Sequence, residues 1–124
     1  MIEIHVKTIR PDQHRYPTHG DYFTDDRGVE QIRVSDMGDH KLELCIAIHE
    51  IVESYLCKDA GIPEEAITAF DLKFEDELAL GLHGPDDEPG DQPDCPYSEQ
   101  HRKAMIVEHL IANFLGVKRY GVIM

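Results

Sequence analysis

The chain is poor in cysteine, poor in basic residues, and has no long apolar run. Its three cysteines, Cys45, Cys57 and Cys95, are odd in number and show no CxxC spacing. That argues against a disulfide framework and against a cysteine-rich zinc knuckle. Cys45 and Cys57 read instead as small core residues. No stretch approaches the roughly 20 apolar residues that a membrane span needs. The start, MIEIHVKTIR, lacks the apolar core of a signal peptide, so a cytoplasmic location is expected. Only 12 Lys and Arg face 25 Asp and Glu, a net charge of −13. This balance repels phosphate, so neither nucleic acid nor a membrane surface is an expected partner. It suits cation binding, or docking on a protein partner with a basic surface. There is no internal repeat, no phosphate-cradling glycine loop, and no serine or cysteine placed as an activated nucleophile.

What is present fits one α+β domain over residues 1–124, β-rich over 1–36 and helical over 39–116. Ile2, Ile4 and Val6 alternate with Glu3, His5 and Lys7, the pattern of a half-buried strand. Pro11, Pro17 and Gly20 then break regular structure. DYFT and VEQIRVS flank DDRG, which predicts a hairpin turning at Gly28. Asp39 is placed to cap a helix over about 40–57, and the apolar positions of that helix cover more than half its circumference. Pro63, Glu64 and Glu65 open a second helix to about Leu80, with Ile67, Phe70 and Phe74 as its buried stripe and Asp71, Glu75 and Asp76 on its wet face. The acidic Pro/Gly-rich segment 81–97 predicts a long loop, either functional or disordered. Ser98 is placed to cap a third helix, which ends before Gly116.

Two helices carry ionisable groups where apolar ones are expected. In IAIHEIVESYLC, His49 and Glu53 stand four residues apart on one face, with Glu50 about 100° round the helix. In the last helix, His101, Ala104, Glu108, Ile111 and Leu115 share one stripe. Ala104 is small enough to let another helix approach closely. His101 and Glu108 are about 10 Å apart along the axis. Both can hardly bind one ion, so one is a ligand and the other an outer group, or two ions are held.

Two readings of these stripes stand side by side. In one, His49 bonds a backbone carbonyl and Glu53 pairs with Arg102 or Lys103 across a helix contact. In the other, His49, Glu53 and a residue of the last helix bind zinc with one position left for water. Glu50 then serves as general base while the metal polarises a carbonyl. Protonation of the histidines would compete with the metal below about pH 6.5.

HEIVE resembles the HExxH helix of zincin metallopeptidases, with Glu53 in place of the second histidine. The strand QIRVS before it and the later helix carrying HRKA follow the zincin order of strand, active-site helix and ligand helix. The resemblance runs from Gln31 to Ala112. It implies His49, Glu53 and His101 as zinc ligands and Glu50 as the catalytic general base of a hydrolase; Glu108, from the stripe it shares with His101, stays a further candidate metal ligand. The chain also resembles small uncharacterised phage-encoded proteins, which keeps open a non-catalytic binding role toward a host or assembly partner, with the strand IEIHVKTI offered to a partner's sheet edge. Other patterns fit less well. Glu50 and Glu53 form ExxE, but the ExxD of helical pyrophosphohydrolases does not follow on a helix. The acids from Asp86 to Asp94 lack EF-hand spacing.

Overall fold

The computed structural model describes residues 1–117. The end of the expected 1–124 unit, residues 118–124, lies outside the described residues. The arrangement is α+β: a three-stranded sheet of β1 (Ile4–Ile9), β2 (Gly20–Thr24) and β3 (Glu30–Ser35), followed by α1 (His40–Asp59), α2 (Glu64–Ala79) and α3 (Ser98–Leu115). No helix among the described residues is long and apolar enough to cross a membrane.

The hairpin forms where expected. The Asp25 carboxylate accepts the backbone N–H of Arg27 and of Val29, and Gly28 takes the positive φ of 81° that the turn requires. β2 and β3 pair antiparallel with Tyr22 opposite Ile32, while β1 pairs parallel on the other side of β3 with Val6 opposite Ile32. The central strand is therefore β3, whose Ile32 and Val34 are fully buried. β1 differs from the expected half-buried strand: Val6 is 51% exposed. The physical reason is position. The first helix packs on β2 and β3, leaving β1 at the sheet's edge.

Asp39 caps α1 by accepting the N–H of Lys41 and Leu42. The helix is central, between the sheet and α3. Its most buried positions include Glu43, His49, Glu53 and Ser54, while Ile48 and Val52 are only half-buried. Each buried polar group has a reason to be there. Glu43 accepts the Met37 N–H at 2.8 Å, closing the β3–α1 connection. Ser54 and Lys58 both donate to Glu30 of β3, Lys58 at 2.6 Å, so a buried carboxylate pins α1 to the sheet. A buried acid paired and hydrogen-bonded in this way avoids the cost of an isolated charge.

α2 buries Ile67 and Phe74 as expected, but Asp71 is a correction. It is 7% exposed and accepts hydrogen bonds from the hydroxyls of Tyr16 and Tyr97. Its spacing of four from Ile67 and three to Phe74 places it on the inner stripe. At α3 the expected Ser98 cap is also corrected: Ser98 is the first helical residue and no side chain caps this end. α3 runs antiparallel along α1, because Ala112 packs near Leu42 at one end and His101 meets Glu53 at the other. Ala104 and Ala112 are fully buried at this contact, so the helices approach through methyl groups.

Ala104→Leu should therefore destabilise the protein by about 1–3 kcal/mol through overpacking. Ile106→Ala, two residues on but 59% exposed, should stay within about 0.5 kcal/mol. Urea denaturation of the two variants checks the contrast, and equal effects would contradict the close crossing.

Candidate metal centre

Successive turns of α1 place His49 and Glu53 on the side that α3 covers, and the antiparallel crossing sets His101 and Glu108 against them. One oxygen organises the group. Oε2 of Glu53 accepts a hydrogen bond from Nε2 of His49 at 2.9 Å and from Nδ1 of His101 at 2.9 Å. The two rings meet edge to face, centroids 4.9 Å apart. The other carboxylate oxygen, Oε1, accepts the hydroxyl of Tyr22 at 2.9 Å. His49, Glu53 and His101 are all buried, at 5–6% exposure. They are the inner set that the zinc reading requires, with one donor atom each lying within 4.8 Å of the others.

Glu108 takes the other role open to it. Its Oε1 lies 2.7 Å from Nδ1 of His49, the nitrogen remote from Glu53. The approach is out of line for a hydrogen bond, so charge attraction carries it. Glu50 sits on the cleft side with its carboxylate 3.8 Å from Nε2 of His49. The alternative pairing of Glu53 with Arg102 or Lys103 does not form. Both bases instead point to Glu99 on the surface.

Charge explains the protonation of this cluster. Burial by itself would lower the pKa of both imidazoles. For His49, Glu108 and Glu53 outweigh burial and raise it to about 11; for His101, Glu53 and Glu88 raise it to about 10. Burial pushes Glu53 upward, but the hydrogen bonds from His101 and His49 prevail and hold it at about 2. Burial drives Glu50 well above the ordinary carboxylate range, against the pull of His49. The centre thus attracts positive charge strongly. With both rings protonated, a dication taking the place of those two protons would leave the net charge unchanged. The donor chemistry fits zinc, since two imidazoles and one glutamate form a set that catalytic zinc sites use.

The centre forms the floor of a cleft of about 610 Å³, lined also by Tyr16, Tyr22 and Asp71. The segment 81–97 is ordered along its rim by a 3-10 turn, Pro89–Asp91. Gly90 lies flat on the His101 ring: a Cβ there would come within 2.3 Å of the ring's Cγ. The cleft also holds a second buried acid. Asp71 is raised to about 6 by burial, although the hydroxyls of Tyr97 and Tyr16 oppose the rise.

Comparison of the chain with protein-family models, curated proteins and solved structures gives no match. The chemistry of the centre therefore has to be argued from its own geometry.

Sequence reasoning named His49, Glu50, Glu53, His101 and Glu108, and the fold brings all five together. It missed Tyr22, Asp71 and Gly90. For Asp71 the helical spacing from Ile67 and Phe74 held the signal. Tyr22 and Gly90 had none, since only the folded chain sets them against Glu53 and His101.

A raised histidine pKa stabilises the fold fully below the unfolded value of 6.5, and the gain is lost as pH climbs through about 10–11. The stability advantage of metal-free wild type over His49→Gln should therefore shrink steadily between those limits. Denaturation midpoints across that range check this, and a constant difference would contradict the charge-balanced cluster.

Proposed function

We propose that the protein is a zinc-dependent hydrolase of peptidase type, zincin-like in its use of one helix for ligands and base. One observation carries the reading: His49, Glu53 and His101 present ligand atoms within 4.8 Å of one another, buried at the floor of a cleft. Zinc bound there supplies a Lewis acid that polarises a substrate carbonyl and makes water more acidic. Glu50 takes the proton of the attacking water and returns it to the leaving group. Its half-buried carboxylate is raised above the ordinary range by desolvation, so it holds a proton more readily than a surface glutamate. Glu108 orients His49 from behind, and Tyr22 holds the free oxygen of Glu53. The segment 81–97 borders the opening and controls access.

A second reading rests on β1. It is an edge strand, mostly exposed, beside an acidic body. That supports a non-catalytic role in which this strand adds to a partner's sheet.

Metal analysis separates the two. Protein purified without a histidine tag and passed through gel filtration should retain about one zinc per chain, as expected of a structured three-ligand site. His49→Ala should lose it. Glu50→Gln should keep the zinc and lower turnover of a fluorogenic peptide pool by roughly 10²–10⁴-fold. Zinc absent from both wild type and His49→Ala would overturn the hydrolase reading and leave the strand-docking one standing.

Proton competition extends higher than ordinary histidines suggest, because the rings of the metal-free protein titrate at about 10 and 11 rather than 6.5. Apparent zinc affinity should accordingly rise from pH 6 through pH 9, with proton release on binding. Competition titrations at several pH values check this. An affinity flat above about pH 7 would mean that the two rings are not the ligands.

A further inference from the structure

Glu88 and Asp91 flank Gly90 on the rim of the cleft, with side chains 54% and 63% exposed. Acids in an exposed loop mark nothing by themselves. This pair faces a buried nitrogen. Nε2 of His101 lies 3.3 Å from Oε2 of Glu88 and 3.4 Å from Oδ1 of Asp91. His101 is only 6% exposed, and this nitrogen is buried without a hydrogen-bond partner. The two carboxylates supply charge attraction there but no aligned hydrogen bond. The ring has little freedom to turn away, because Nδ1 is hydrogen-bonded to Glu53 at 2.9 Å and Gly90 lies against the ring.

The geometry points to a second, outer cation site in which Nε2 of His101, Glu88 and Asp91 bind a divalent first-row metal ion, with water completing its shell. The three donor atoms lie within 4.8 Å of one another. One imidazole with two solvent-exposed carboxylates suits manganese better than calcium, which takes oxygen alone, and holds an ion too loosely to keep it through gel filtration. The Nδ1–H of His101 donating to Glu53 is the carboxylate–histidine relation that orients metal-bound rings. The outer site shares His101 with the inner centre but needs neither His49 nor zinc there. A neutral imidazole lends one nitrogen at a time, so inner and outer ions compete for this ring.

The test uses Mn²⁺ as probe and the free-ion electron paramagnetic resonance signal as readout, in the full chain with the inner set broken by His49→Ala. His49→Gln, which keeps polar bulk beside Glu108, serves as a second background should the alanine variant fail to fold by circular dichroism. Both backgrounds should bind one Mn²⁺. Adding Glu88→Gln with Asp91→Asn should weaken that binding by about tenfold or more. Adding Asp86→Asn with Asp94→Asn removes the same charge from the same loop and should leave it nearly unchanged. No Mn²⁺ binding in either background, or equal weakening by both pairs, would overturn the outer site. Failure of the inner reading is seen separately, as wild type that retains no more zinc through gel filtration than His49→Ala does.

Discussion

One carboxylate oxygen, Oε2 of Glu53, receives two imidazoles from two helices, and the surrounding structure is arranged to keep it there. The helices must lie close enough for His101 to reach across, which Ala104 and Ala112 permit by offering only methyl groups at the crossing. The sheet must stand behind α1, and Tyr22 projects from β2 to occupy the carboxylate's other oxygen. The rim segment must fold inward, and Gly90 lets its backbone touch the ring of His101. A side chain at position 90 or a larger residue at 104 would separate groups that now lie within hydrogen-bond distance.

Charge gives this geometry its consequence. Glu50, Glu53 and Glu108 converge on two histidines in a buried place, with Glu88 and Asp91 at the margin. Desolvation alone would neutralise Glu53 and both rings. The opposing attraction keeps Glu53 ionised and both rings protonated instead. Such a centre is stable only with positive charge inside it, supplied by protons or by a metal ion. The same demand reconciles the buried acids with a chain of net charge −13.

The parts of this centre were unequally legible. His49, Glu53, His101 and Glu108 stood out because helical periodicity put ionisable groups on apolar stripes, and that periodicity is local. The reach from one stripe to the other was an inference, which the antiparallel crossing of α1 and α3 bears out. Asp71 reads from the sequence as a wet residue although its stripe points inward, since a carboxylate's burial depends on donors from distant segments, here Tyr16 and Tyr97. The burial of β1 was overestimated for a related reason. Alternation describes a strand with two unlike faces, but whether anything covers the apolar face is decided elsewhere in the chain.

The sequence by itself determined the elements and their order: the hairpin at Gly28, the Asp39 cap, the break at Gly61 and Pro63, three helices after three strands. These depend on backbone preferences and on spacings of a few residues, which neighbours in the chain settle. It also determined which side chains were out of place. Only the tertiary structure decided that Glu53 is the shared acceptor, that Glu108 lies behind His49, and that Glu88 and Asp91 face the far nitrogen of His101. Those relations join residues up to 59 positions apart, from His49 to Glu108, and no local preference encodes the angle at which two helices meet.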